Sequence, residues 1–300
     1  MKALILSDIH PDMYYSYAVK PNRLRGDEPK EDVVFDTLDW MWKMYEIPIT
    51  PAILIAGDLS NDYLTLTRTI KWLSNKYEQV YFCFGNHDLI VRGATVSKSN
   101  LQFTSSEQKL NSVKEFCTKY PNIHFLEGDV VNGIGGCMMT CDLKCEAMPG
   151  LDHRIDWKRN WFDGLHWRYM NNEPGEIWNH YDKLMENIIA QKPKIILTHF
   201  APYQVGVNFK FRNSGHNKFF YFDAEKYLNE LNDTIWICGH IHDRKICNWV
   251  NETGGKVKIL CNPFGYPGEH DPYADYVEIK NNEYKRDSLL VKHDDYIIDI

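Results

Sequence analysis

Five short apolar runs, at residues 2–7, 52–56, 80–84, 194–198 and 234–238, each stop at a cluster of residues able to bind a metal ion. Apolar runs of this length, bounded by glycine and polar residues, have the signature of buried strands. In an α/β sheet the carboxyl ends of the strands are where sites assemble, so the recurrence fixes both fold class and the location of chemistry. The clusters are Asp8-Ile9-His10, Gly57-Asp58, Gly85-Asn86-His87-Asp88, His199 and Gly239-His240-Ile241-His242. Glycine lets the chain turn sharply at the sheet rim. Residues two apart in extended chain point the same way, which pairs Asp8 with His10 and His240 with His242.

Seven side chains are thereby offered as ligands: Asp8, His10, Asp58, Asn86, His199, His240 and His242. Taken singly, Gly85–Asp88 is an ordinary turn rich in backbone-bonding side chains, and each histidine is a core or surface residue. The ordered set is different, because a metal site needs imidazoles and carboxylates converging from distant segments. Seven ligands exceed one structural site and suit two ions that share a bridging carboxylate. Oxygen and nitrogen donors without thiolate suit manganese first, or iron or zinc, over copper(I).

The blocks D-x-H, G-D, G-N-H-D, H and G-H-x-H, in that order from Asp8 to His242, resemble those of the calcineurin-like metallophosphoesterases. The resemblance implies that Asp8, His10 and His242 hold one ion, that Asn86, His199 and His240 hold the other, and that Asp58 bridges them. It also implies a four-layer α-β-β-α sandwich, two packed mixed sheets with helices outside. The implied activity is dinuclear-metal-dependent phosphoester hydrolysis, on mono- or diesters, by a metal-bridging hydroxide. His87 then lies over the substrate phosphate and, if protonated, assists the leaving oxygen. His87 and Asp88 form the candidate catalytic pair. A further stretch, Cys261-Asn-Pro-Phe-Gly-Tyr-Pro-Gly-Glu269, is similar to the tail block of a bacterial and phage subgroup.

One departure bears on subgroup. In the phosphoprotein phosphatases the second block continues to an aspartate that orients the catalytic histidine, followed by Arg-Gly. Here Asn61 stands at that position and no Arg-Gly follows, which argues against a phosphoprotein phosphatase. Asp62 or Asp88 is left to orient His87. A nuclease or cyclic-nucleotide phosphodiesterase is the alternative enzyme. A non-catalytic binding protein that keeps the metals as scaffold is the alternative of another class, and retention of every ligand and of His87 counts against it.

Hydrophobic residues at 44% and charged residues at 25% exclude wholesale disorder. Three hundred residues suffice for one large core, and residues 1–300 are read as a single domain. A net charge of −7 excludes a broadly basic nucleic-acid surface, although two divalent ions would make the site mouth locally positive. Small phosphoesters or nucleotides are therefore the expected partners, ahead of extended nucleic acid. No run approaches ~18 apolar residues, and the first is too short for a signal-peptide core, so a cytoplasmic protein without a membrane partner is expected. Cys137, Cys141 and Cys145 lack the second close pair of a zinc site, and Cys137 falls in an expected strand, so they are read as free thiols; Cys83 and Cys238 fall in strands as small core residues.

Helical spacing covers residues 32–45 and 64–77, which with the first three runs gives alternating strands and helices of a parallel sheet. Residues 11–30 and 93–106 read as loops, 109–119 and 176–191 as helices, and 123–126 and 134–140 as strands of a second sheet. Tyr14, Tyr15 and Tyr17 either line a pocket or cap the core. The aromatics Trp157, Trp161, Trp167, Tyr169, Trp178 and Tyr181 are expected to pack the core rather than stack bases. Residues 202–222 leave the site directly and carry Lys210, Arg212, His216 and Lys218, the candidate substrate contacts. Strands are expected at 245–250, 256–260, 276–279 and 296–300.

Overall fold

The computed structural model describes residues 1–20, 29–93, 98–143, 152–204, 214–280 and 283–300. Lys210, Arg212 and Cys145 lie outside them. The strands are β1 (Lys2–Leu6), β2 (Ala52–Ala56), β3 (Gln79–Cys83), β4 (Ile123–Phe125), β5 (Asp129–Val131), β6 (Ile134–Cys137), β7 (Ile195–Thr198), β8 (Thr234–Cys238), β9 (Lys245–Val250), β10 (Lys256–Cys261), β11 (Tyr273–Lys280), β12 (Glu283–Leu290) and β13 (Ile297–Asp299). They form two mixed sheets, in the orders β13-β1-β2-β3-β4 and β12-β11-β9-β10-β8-β7-β6-β5. In the first, β1 to β4 run parallel and β13 is antiparallel to β1; in the second, β6, β7, β8 and β10 run parallel.

Alternation along each apolar run sorts side chains into two cores. Ala3, Ile5, Ala52, Leu54 and Tyr81 meet Ile134, Ile195, Leu197, Ile237 and Leu260 between the sheets. The opposite-facing Leu4, Leu6, Ile53, Ile55 and Phe82, with Ile196 and Trp236, join a second cluster with helix residues. Burial on both faces explains why the strands read as unbroken apolar runs. The helices are α1 (Tyr15–Ala18), α2 (Glu31–Met44), α3 (Tyr63–Lys76), α4 (Ser106–Cys117), α5 (His153–Asn160), α6 (Phe162–His166), α7 (Pro174–Ala190) and α8 (Glu225–Leu228). From α2 and α3, Leu38, Met41, Trp42, Leu66, Ile70 and Leu73 contribute to that cluster, as do Tyr181, Met185 and Ile188 of α7. The α-β-β-α layering follows. No helix among the described residues is long and apolar enough to cross a membrane.

Local chemistry sets the helix starts. Asp62 caps α3 by accepting from the Thr65 N–H at 2.7 Å, and Ser105 caps α4 by accepting from the Gln108 N–H at 3.3 Å. Helix α4 therefore begins three residues before the expected 109, and a 3-10 turn, Lys98–Gln102, falls within the expected loop. Pro174 opens α7, as its missing N–H and fixed φ allow at a helix start.

Four further expectations need correction. Residues 123–125 pair in parallel with β3 and so belong to the first sheet, not the second. β6 ends at Cys137 rather than at 140. The β11–β12 hairpin extends over Tyr273–Leu290, where only 276–279 was expected; residues 285–290 of β12 are exposed, with Lys285, Arg286 and Asp287 charged, so no apolar alternation marks it. Residues 11–18 form a 3-10 turn and α1, and their tyrosines divide by role. Tyr14 is buried and bonds the Gly265 carbonyl at 2.9 Å, Tyr15 bonds Thr65, and Tyr17 is exposed. Cys83, Cys137, Cys141 and Cys238 are buried free thiols, and the expected core aromatics Trp157, Trp167, Tyr169, Trp178 and Tyr181 are buried.

Candidate metal centre

The chain places all seven candidate ligands just beyond the carboxyl ends of β1, β2, β3, β7 and β8. Asp8 Oδ1 lies 3.3 Å from His242 Nε2. Asp58 Oδ2 lies 3.5 Å from His10 Nε2 and 3.3 Å from His199 Nε2, and Asn86 Oδ1 lies 2.9 Å from His199 Nε2. Donor atoms of Asp8, His10, Asp58 and His242 fall within 4.8 Å of one another, as do those of Asp58, His199 and His240. Asp58 is common to both groups. Asp8, His10 and His199 are fully buried, whereas His242 keeps 16% of its side chain exposed, so the cluster opens on the His242 side.

Backbone geometry aims these side chains. Asp8, His10, Asp58, His240 and His242 all have positive φ, between 42° and 69°. For residues other than glycine this left-handed region is uncommon and costs about 1–3 kcal/mol each, which the packed strands behind must offset. Close approach demands the flanking glycines. A Cβ on Gly85 would sit 2.1 Å from Asp58 Oδ1, and one on Gly57, whose φ is +80°, would sit 2.6 Å from His199 Nδ1.

The residues fit a pair of divalent ions. Both ring nitrogens of His10 and Asp58 Oδ2 are buried without a hydrogen-bond partner, an expensive arrangement unless a cation completes it. Three other imidazoles are held from behind. His199 Nδ1–H donates to the Ala56 carbonyl at 2.7 Å, His240 Nε2–H to the Phe219 carbonyl at 3.3 Å, and His242 Nδ1–H to Glu269 Oε2 at 2.6 Å. Each bond fixes the tautomer that leaves the other nitrogen facing the cluster.

Asn86 is fixed similarly: its Nδ2 donates to Asp163 Oδ1 of α6 at 2.8 Å, which turns Oδ1 toward His199. Asp163→Ala is expected to weaken metal affinity by about 10- to 100-fold, as loss of such outer partners does, with the fold retained. Calorimetric titration with Mn²⁺ checks this, and unchanged affinity would count against the arrangement.

Electrostatics of the metal-free cluster make a second prediction. Burial alone would lower the His199 and His242 pKa values, but Asp58 beside His199, and Asp8 with Glu269 beside His242, raise them to about 9 and about 10. Burial and the neighbouring His199 charge lower His240 to about 3. At pH 7 the metal-free protein therefore carries imidazolium at His199 and His242, and ligation requires both neutral. Metal binding at pH 7 is expected to release about two protons, measurable by calorimetry in buffers of different ionisation enthalpy; near-zero release would contradict it. Because both pKa values are raised, their contribution to metal-free stability is complete below about 6.5 and is lost as pH rises through 9 to 10.

His87 stands beside the cluster, with its ring centroid 4.9 Å from that of His10 and stacked on Phe162 at 4.8 Å. Its orienting partner is Asn61, whose Oδ1 lies 2.5 Å from His87 Nδ1. This corrects the expectation of a carboxylate. Asp62 is committed to the α3 cap, and the lone pairs of Asp88 accept three backbone N–H groups, from Gly85 (2.8 Å), Ser60 (2.9 Å) and Asp58 (3.0 Å). Fully buried, Asp88 ties the turns after β2 and β3 together through these three bonds. The amide oxygen can only accept, so His87 Nδ1 carries the ring proton and Nε2 is a bare lone pair. Burial outweighs the Asp58 charge and lowers His87 to about 3, so the ring is neutral at pH 7, against the expectation of a protonated acid.

Among the candidate substrate contacts, His216 is exposed on the rim, its ring 5.8 Å from that of Trp161. Lys218 is instead buried and paired with Asp156 at 3.0 Å, because an unpaired buried ammonium would be costly. Half-buried Trp161, Phe162 and Phe220 wall the rim, with Phe220 5.1 Å from the His240 ring. Sequence reasoning gave no role to Asp163, Tyr266 or Glu269. The last two lie in the flagged 261–269 stretch, which was the available signal; Asp163 had none.

A family model described as calcineurin-like phosphoesterase matches residues 1–244. No curated protein matches the chain. Among solved structures, the phosphopantetheinyl hydrolase of Mycobacterium tuberculosis is similar with a TM-score of 0.60 at 14% identity, covering 89% of this chain and 90% of that one. Likeness at that identity speaks to the fold.

Proposed function

The chain belongs to the calcineurin-like phosphoesterase family, a class of metal-dependent hydrolases, and on that premise we propose that it hydrolyses small phosphoesters with two divalent ions, manganese foremost. Asp8, His10 and His242 would hold one ion, Asn86, His199 and His240 the other, and Asp58 both. The observation that carries this reading is Asp58 Oδ2, buried, unpartnered and flanked by His10 and His199 from the two ligand groups. Ions held there would supply Lewis acidity toward a phosphoryl oxygen, a nucleophilic water at neutral pH and positive charge to offset that of an in-line displacement.

The chain's own residues do the rest. His87 keeps its ring proton on Nδ1 against Asn61 and offers Nε2 as the atom that takes a proton from solvent and passes it to the departing oxygen, on the face opposite the attacking water. Buried Asp88, through its three backbone bonds, holds the turns that carry Asp58 and Asn86 in register. The aromatic rim of Trp161, Phe162 and Phe220 favours esters of a planar or apolar alcohol, nucleotides among them.

The test is a panel of p-nitrophenyl phosphate, bis(p-nitrophenyl) phosphate, cyclic nucleotides and short oligonucleotides, assayed with Mn²⁺ and with metal analysis alongside. Metal-dependent turnover of the small esters, ahead of oligonucleotides, is expected. A fully loaded protein that turns over none of them would overturn the reading and leave a metal-binding protein without catalysis.

A further inference from the structure

We propose that Tyr266 is a further catalytic residue, whose hydroxyl donates a hydrogen bond to the substrate phosphoryl group that His87 also faces; this rests on the hydrolase reading above. The tyrosine lies outside residues 1–244, so the family match does not extend to it. Its half-buried ring stands on the open side of the cluster, 4.6 Å from the His242 ring and 4.9 Å from that of His10, centroid to centroid. Its hydroxyl lies 3.3 Å from His87 Nε2.

The hydrogen-bond inventory gives that hydroxyl a task. Asn61 Oδ1 accepts the Nδ1–H of His87, which leaves Nε2 as the ring atom that faces the Tyr266 hydroxyl at 3.3 Å. A phosphoryl oxygen entering beside His87 is anionic and a strong acceptor for a phenol O–H. The hydroxyl has only to rotate about its C–O bond to reach it. Tyr266 thereby places a hydrogen-bond donor beside His87 at the open side of the cluster.

The segment carrying Tyr266 is built into the site. Asn262 O accepts from the Ser7 N–H at 3.2 Å, the Phe264 N–H donates to Ser7 O at 2.8 Å, and the Gly265 N–H donates to Asp8 O at 2.9 Å. The Asn262 side chain donates to Ile5 O, and the Tyr14 hydroxyl to Gly265 O. At Tyr266 itself the backbone N–H donates to Glu269 Oε2 at 2.8 Å, the same oxygen that accepts from His242. One carboxylate thus fixes both the tyrosine's backbone and a candidate ligand. A donor held this way needs no reorganisation during reaction, the condition under which such bonds are most effective.

Tyr266→Phe removes only the hydroxyl and keeps the ring against His10 and His242. In the Mn²⁺-loaded variant, affinity for inorganic phosphate is expected to fall about 10-fold or more, and kcat about 10- to 100-fold, with metal content and thermal unfolding unchanged. Turnover of p-nitrophenyl phosphate gives kcat, and calorimetry gives phosphate affinity without turnover. Unchanged phosphate affinity, or unchanged kcat in an active enzyme, overturns the proposal. A wild type that is inactive on every ester, while the variant still loses phosphate affinity, places the fault in the hydrolase reading and leaves the tyrosine's contact standing.

Discussion

Asp58→Asn is expected to lower kcat/KM by roughly 10³-fold or more, and to bring metal content down from two ions per chain to one or fewer. Asp58 Oδ2 faces imidazoles of both ligand groups, so one change of charge weakens both positions. Ions at such sites contribute several kcal/mol of transition-state stabilisation, and each ~1.4 kcal/mol is a factor of ten. Because the amide is isosteric and can still accept the His87 backbone N–H that Asp58 Oδ1 takes at 2.9 Å, the turn is expected to hold its shape. The same change removes the charge that raises His199, so proton release on metal binding at pH 7 drops from about two toward one. Kinetics with metal analysis provides the check; a variant that keeps two ions and wild-type turnover would remove Asp58 from the centre of the site.

His87→Ala should separate chemistry from assembly. His87 belongs to neither ligand group, and its contribution to the turn is a backbone N–H that alanine retains. Metal content should therefore stay at the wild-type level while kcat falls by about 10²–10⁴, the range for loss of a positioned acid–base group. Wild-type turnover in this variant would refute the role assigned to Nε2.

How much was legible in the sequence follows from what is local. Asp8, His10, Asp58, Asn86, His199, His240 and His242 announce themselves because each ends a doubly buried strand, and a sheet's parallel strands deliver their ends to one rim. The residues that hold them were not readable in the same way. Asp163 reaches Asn86 across 77 positions of chain, through a helix placement that no periodicity encodes, whereas Asn61 bonds His87 from the position where the family resemblance expects an orienting aspartate, so its place was legible and the use of an amide there was not. The neutrality of His87 is a consequence of burial, which a tetrapeptide cannot reveal. The place of β4 in the first sheet was hidden because a strand of only three residues, Ile123-His124-Phe125, fits either sheet, and β12 was hidden because an exposed edge strand carries no apolar alternation.

Crystals soaked with Mn²⁺ and measured at its absorption edge test the central claim most directly. The account predicts two anomalous peaks per chain, one among Asp8, His10 and His242 and one among Asn86, His199 and His240, each within coordination distance of Asp58. A single peak away from Asp58, or none at saturating Mn²⁺, would contradict it.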